Sequence, residues 1–277
     1  MSGDIRVLDK QDLPQLLELL RTDVVANLFV ASRVTTLGLE PAHLGCSVFG
    51  YLRQGRLVAA CHLGANVVPI GGDREALAAF IDVIGPRRDA ASIMGPADSV
   101  NRLYEGLSQR WPGWRQVRDL RPRQPLLVID GEPKVEPDPR VRLMNEADFE
   151  SYLPAAIAMY TEEVGVSPLE PTGSYQRYVR MLLQMGRSMG ARKGDRVWFK
   201  SDIGSAWAGA CQVQGVWLDP GLRGRGLSAA AMARVVQLCR RRYPVVSLYV
   251  NDYNLRARRL YDRVGFRVVG EFATVLY

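Results

Sequence analysis

Apolar positions divide the 277-residue chain into two successive series of strands and helices. In the first, Ile5 to Val7 alternates as a short strand, and Asp12 then starts an apolar helix with Leu13, Leu16, Leu17, Leu19 and Leu20. A second helical stretch runs from about Val24 to Val34. Ser47 to Leu52 and Leu57 to Leu63 read as a hairpin turning at Arg53-Gln54-Gly55-Arg56, whose glycine can take positive φ. Asn66 to Val68 extends the sheet, followed by a helix over Asp73 to Ile84, a strand near Ser92 to Met94, a helix over Ala97 to Arg110 and a strand around Leu126 to Ile129.

Residues 131–139 hold three prolines and few apolar side chains, the composition of a linker. Beyond them the alternation resumes. A helix over Ser151 to Tyr160 leads to an acidic turn from Thr161 to Pro168, then a helical segment from Tyr175 to Met189. Strands follow over Arg196 to Lys200 and Ser205 to Val213, and a third ends in Val216-Trp217-Leu218. After a glycine-basic loop and a helix come a buried strand over Val245 to Val250, a further helix, and a last strand over Phe272 to Leu276.

The two series echo one another. Ile5-Arg6-Val7-Leu8-Asp9-Lys10-Gln11-Asp12-Leu13 is matched by Val141-Arg142-Leu143-Met144-Asn145-Glu146-Ala147-Asp148-Phe149, and Arg102-Leu103-Tyr104-Glu105 by Arg259-Leu260-Tyr261-Asp262. The chain therefore reads as a tandem repeat of one α/β (α+β) fold, residues 1–130 and 140–277, joined by the linker.

The loop of the second copy has the residue types of an anion site. Asp219, Pro220 and Gly221 turn the chain, and Arg223-Gly224-Arg225-Gly226 feeds directly into a helix beginning Leu227-Ser228. The first N–H groups of a helix lack internal partners, and glycines let a phosphate reach them. The spacing fits neither a nucleotide-triphosphate P-loop nor a dinucleotide fingerprint. With Pro220, Arg223, Gly224 and Gly226 in register, it resembles the Pro-x-x-Arg-Gly-x-Gly-x-Gly/Ala loop of the GCN5-related N-acetyltransferase (GNAT) family, departing at Ser228. Asn254, Ala257, Leu260, Tyr261, Gly265 and Phe266 match the same family's closing motif, Asn-x-x-Ala-x-x-Leu-Tyr-x-x-x-Gly-Phe.

This resemblance implies two tandem GNAT-like domains, as in bacterial tandem members, each a mixed, mostly antiparallel twisted sheet flanked by helices. It implies acetyl-CoA as cosubstrate and an amine as acceptor. The backbone of Val216, Trp217 and Leu218 would hold the pantetheine arm. Arg223 and Gly224, with the N–H groups of Arg225, Gly226, Leu227 and Ser228, would hold the pyrophosphate, and Asn254 would contact the pantetheine or carbonyl. Tyr261 occupies the general-acid position. The first copy reads Val68-Pro69-Ile70-Gly71-Gly72-Asp73 where the loop should be. Asp73 would cap the helix and repel phosphate, so this copy is expected to bind no cofactor and to help shape the substrate cleft.

Composition narrows the rest. Residues 1–135 hold 16 Lys and Arg against 15 Asp and Glu; the remainder holds 20 against 14 and so carries +6 of the net +7. That bias suits a phosphorylated cofactor, and no basic-aromatic motif or recognition helix favours nucleic acid. No apolar run is long enough to span a bilayer, and the first residues lack a secretory leader, so a cytoplasmic protein is expected. Four scattered cysteines, with no metal spacing, read as buried thiols.

A base for the amine is harder to place. The strand preceding the loop offers Cys211, Gln212 and Gln214 rather than a carboxylate; Glu162 and Glu163 are the carboxylates best located, with Asp252, a water chain and the terminal carboxylate of Tyr277 as alternatives. His43 and His62 are read as structural, and Tyr104 as core. The competing functions are a non-catalytic acyl-CoA-binding or regulatory module and a basic nucleic-acid-binding protein. The acceptor cannot be read from the residues.

Overall fold

The computed structural model describes residues 3–277. The chain packs as two compact units. One comprises the residues up to Leu126 with Tyr249–Tyr253 and Val268–Tyr277; the other comprises Leu127–Leu248 and Asn254–Arg267. Boundaries in space thus differ from boundaries along the sequence, because the C-terminal strand is built into the first unit.

In order, the first half of the chain forms β1 (Asp4–Val7), α1 (Leu13–Arg21), α2 (Leu28–Leu37), α3 (Pro41–Leu44), β2 (Ser47–Arg53), β3 (Arg56–Leu63), β4 (Asn66–Gly71), α4 (Arg74–Ile84), β5 (Ser92–Pro96), α5 (Ala97–Arg110) and β6 (Asp119–Ile129). The second half forms β7 (Arg142–Leu143), α6 (Phe149–Val164), α7 (Ser174–Gln184), β8 (Ser188–Lys193), β9 (Arg196–Trp207), β10 (Ala210–Leu218), α8 (Leu227–Arg240), β11 (Val245–Tyr249), α9 (Leu255–Val264) and β12 (Arg267–Leu276).

In the first unit the strands lie in the order β1-β2-β3-β4-β5-β12. Neighbours run antiparallel except β4 and β5, which pair in parallel at Asn66↔Ser92 and Val67↔Ile93. The β2–β3 hairpin turns with both Gln54 (φ 51) and Gly55 (φ 74) left-handed, the twist that a two-residue connection requires. Phe80, Leu103, Leu107 and Trp114 pack with Ala273 and Val275 of β12 in one apolar core. Tyr277 ends β12 against Trp114, ring centroids 5.5 Å apart, with the Arg88 guanidinium 4.4 Å from its ring.

The second unit repeats the plan with the order β11-β10-β9-β8-β7. Here the parallel pair is β10 and β11, in register only from Ala210↔Val245 to Gln212↔Ser247. The matched segments at the start of each copy fold alike. Arg6 grips Asp12 through two hydrogen bonds of 2.6 and 2.7 Å, and Arg142 grips Asp148 at 2.8 and 2.7 Å. Asp12 and Asp148 each also accept the backbone N–H three residues upstream, from Asp9 and Asn145.

Several boundaries differ from the periodicity. The second helix starts at Leu28 rather than Val24, because Asn27 turns back to donate from its side chain to the Leu20 carbonyl. Asp12 does not open α1 as a cap, its carboxylate being occupied by Arg6. α6 continues to Val164, so the segment read as an acidic turn is the helix's last turn. α7 stops at Gln184, and Gly186 (φ 63) reverses the chain so that Ser188 and Met189 enter a strand. β6 begins at Asp119, seven residues before the expected strand; Pro122 and Pro125 disguise it. Residues 131–139 hold neither helix nor strand, yet they are strapped to the second unit: Lys134 donates to the Val264 carbonyl and Asp138 to that of Ala230, both at 2.9 Å.

Candidate active site

The site begins where β10 leaves its parallel neighbour. Past Gln212 the strand runs on to Leu218 against β9, and the register slips between Gln214, opposite Asp202, and Trp217, opposite Lys200. This bulge holds Gly215 (φ 58) and Val216. It takes Gly215 and Val216 out of regular pairing with β9, while Trp217 and Leu218 pair with β9 opposite Lys200 and Phe199 and lie past the last residues of β10 in register with β11. The side chains of Trp217 and Leu218 are buried, so main chain is what these residues present to a ligand.

Asp219 then turns the chain, accepting the Gly221 N–H at 2.9 Å, and the loop enters α8. Gly224 (φ 81) and Gly226 (φ 76) are both left-handed, and a Cβ on either would meet nothing within 4 Å. Backbone conformation, not crowding, therefore calls for glycine here, and the space outside the loop is open. Gly226 is the N-cap of α8, and no side chain caps the helix. The N–H groups of the first turn, Leu227 and Ser228 among them, thus lack a side-chain acceptor, which is the geometry of an anion-binding helix terminus.

Arg223 is engaged elsewhere. Its guanidinium donates two hydrogen bonds to Glu162, of 2.6 and 2.7 Å, and one from Nε to the Leu218 carbonyl at 3.0 Å. Trp217 adds an indole N–H to the same carboxylate at 3.2 Å. Glu162 is held below the usual glutamate value, chiefly by hydrogen bonding to Arg223. Arg223 ties the loop to the end of α6. Glu162 lines a cleft of about 690 Å³ whose walls include Pro154 and Ala158 of α6, Val197 and Trp217.

The neighbouring Glu163 has different surroundings. Tyr261, on α9 and edge-on to Phe266 at 5.7 Å, is buried, and its phenol is pushed above the ordinary tyrosine value by burial first and by the charge of Glu163 second. The phenol keeps its proton at rest. Asn254 caps α9 by accepting the Ala257 N–H at 3.1 Å, which leaves its side-chain NH₂ as the group able to reach a ligand.

Of the other base candidates, Asp252 and Tyr277 belong to segments of the first unit. A buried polar group that sequence reasoning missed lies next to the bulge, where a Cβ on Gly215 would come within 3.0 Å of the Lys200 Nζ. Asp202 accepts from Tyr152 at 2.9 Å and Ser188 at 2.6 Å, and pairs with Lys200 at 2.5 Å. Above it, Gln214 donates to the Tyr178 hydroxyl at 2.7 Å, and Tyr175 packs between Tyr160 and Tyr178, with ring centroids 5.4 and 6.4 Å away. Alternation on β9 could have flagged Lys200 and Asp202, two charges on one buried face. Among the described residues no cluster of His, Cys, Asp and Glu could hold a metal ion, and no helix is long and apolar enough to cross a membrane.

Comparison with known proteins agrees with this geometry. Residues 178–266 match the model of the acetyltransferase (GNAT) family, and residues 46–152 that of a domain of unknown function, DUF4081. No curated protein matches the sequence. Among solved structures, a Drosophila protein is 16% identical over 100% of this chain and 99% of its own, with a TM-score of 0.64. A GNAT-family acetyltransferase from Colwellia psychrerythraea is 11% identical over 99% of both chains, TM-score 0.59. A tandem GNAT protein of the clavulanic acid biosynthesis pathway is 11% identical over 99% of this chain and 98% of its own, TM-score 0.55. The chain as a whole shares the fold of a tandem GNAT protein, and within it residues 178–266 are similar to the acetyltransferase (GNAT) family and residues 46–152 to DUF4081.

Proposed function

We propose that the protein transfers an acetyl group from acetyl-CoA to a primary amine by direct attack, using its C-terminal domain. The observation that carries this reading is the uncapped α8 terminus, reached through left-handed glycines from a strand that has parted from its parallel neighbour. Helix N–H groups and open space suit a pyrophosphate, and the main chain of Val216 to Leu218, past the last residues in register with β11, suits an amide-bearing arm.

The residues divide the work. Gly224, Arg225, Gly226, Leu227 and Ser228 hold the phosphates through backbone N–H groups, with Ser228 adding a hydroxyl. Arg223 keeps the loop in shape through Glu162. Asn254 contributes its NH₂ to the arm or the acyl carbonyl. Tyr261 donates a proton to the departing thiolate, and Glu163, close enough to influence Tyr261, receives the proton of the attacking amine, directly or through water. Four free cysteines suit a reducing cytoplasm.

Calorimetric titration with acetyl-CoA and with CoA tests the reading, with a DNA duplex as control. The expected result is one micromolar site per chain for both thiol-bearing ligands and none for DNA. Absence of acetyl-CoA binding would remove the loop assignment and with it the enzyme.

A further inference from the structure

The first unit contains a nucleophile–base arrangement that the acetyl-transfer site does not use. Cys46, just before β2, places its Sγ 3.1 Å from Nε2 of His62 on β3. On the other side of the ring, Nδ1 lies 2.9 Å from the carbonyl oxygen of Asn66. A carbonyl can only accept, so Nδ1 carries the proton and Nε2 is left as the acceptor facing the thiol. Asn66 is itself fixed, its side chain accepting from Ser92 at 2.6 Å. Phe29 packs edge-on against the imidazole at 5.6 Å.

Three further observations separate this pair from an inert core thiol. Cys46 is partly exposed, whereas Cys61, Cys211 and Cys239 are buried. Burial holds His62 below the usual histidine value, which leaves its Nε2 able to accept the thiol proton, and although burial pushes the Cys46 thiol up and so disfavours the thiolate, the Arg33 guanidinium opposes that rise. Arg33, on α2, donates to the Leu44 carbonyl at 2.6 Å, but its Nε is buried without a hydrogen-bond partner. An orphan donor beside a base-assisted sulfur suits an oxyanion developing on an attacked carbonyl.

We infer that Cys46 is an acyl-accepting nucleophile, with His62 as its base and Arg33 as its oxyanion donor, and that it takes an acyl group from a thioester. In the step, Sγ bonds to the thioester carbonyl carbon as His62 Nε2 takes the thiol proton. The bond from that carbon to the leaving sulfur then breaks, and the proton departs on the released thiol. One thioester replaces another, and no oxidant or reductant is involved. The step makes no use of the α8 loop.

S-Acetyl-N-acetylcysteamine, a thioester without a nucleotide, is the suitable probe, since it reports on Cys46 whether or not α8 binds acetyl-CoA. Mass spectrometry of the treated full-length protein is expected to find one acetyl group, on Cys46, removable by neutral hydroxylamine and absent from Cys46→Ala. At pH 7 the reaction should outpace that of free N-acetylcysteine and fall on the order of 10²-fold in His62→Gln. Arg33→Gln, at a half-buried position, should slow it as well. Acetylation of Cys46 no faster than the free thiol, or equal labelling of all four cysteines, overturns the inference on the wild-type protein alone. An unchanged rate in a folded His62→Gln variant does the same.

Discussion

The two units set side by side two helices that begin at corresponding places and end in opposite chemistry. At α4, Asp73 accepts the N–H groups of Glu75 and Ala76, both at 3.1 Å, and Arg53 closes over Asp73 and Glu75 at 2.7 Å each. The preceding Gly72 is packed: a Cβ there would come within 3.0 Å of Ala59 and 3.3 Å of Ala76. At α8, Gly226 offers no side-chain cap, and the space around Gly224 and Gly226 is empty of protein atoms. Both helices face the same problem of unsatisfied N–H groups. The first solves it with its own carboxylate, whereas the second leaves it for a ligand.

Transplanting the cap is the strongest way to break that contrast. Gly226→Asp puts a carboxylate where Asp73 stands in α4, and acetyl-CoA affinity is expected to fall at least on the order of 10²-fold, since the new charge both occupies the N–H groups and repels phosphate. Calorimetry measures it, and retained affinity would place the cofactor elsewhere. Next in size is the acid. Tyr261→Phe should lower turnover on the order of 10²-fold with cofactor affinity kept. In the same assay Glu163→Gln should lower turnover far more than Glu162→Gln, because Glu162 is already committed to Arg223 and Trp217.

Where the copies agree, mutations should act alike. Asp12→Asn and Asp148→Asn each remove the charge from a nearly buried carboxylate gripped by an arginine, at an expected cost of about 2 kcal/mol in urea unfolding. Both carboxyls are held below the ordinary aspartate value, chiefly by hydrogen bonds from Arg6 and Arg142. Their stabilisation is therefore complete above about pH 4 and is lost as pH falls through the depressed values, so both variants should lose less stability than the parent on acidification. The smallest effect is that of Asp73→Ala. It should lower the melting temperature slightly and leave acetyl-CoA binding untouched, since α4 is not the cofactor helix.

Much of this was legible in the residues. Hydrophobic spacing marks most of the helices, and the Arg6 and Arg142 segments announce the repeat because each encodes a local turn, closed by partners six residues apart. The glycine-basic loop is readable for the same reason, its function resting on backbone shape within a few residues. Glu162 and Glu163 could not be told apart, since adjacent residues on a helix point in different directions and only the packed partner distinguishes them. The Lys200–Asp202 group and the Cys46–His62 pair escaped for a related reason, their meaning depending on neighbours from other strands.

The sequence alone determined most of the elements, the Gly55 turn, the Asp73 cap and the doubling of the fold, which rest on interactions within short spans of chain. Tertiary structure alone decided which strand lies beside which. β12 follows α9 of the second unit in sequence and yet pairs with β5 of the first, from Phe272↔Pro96 to Leu276↔Ser92. Alternating apolar residues state that a strand has a face to bury, but backbone hydrogen bonding is the same for every partner, so the choice falls to the side chains packed above and below it.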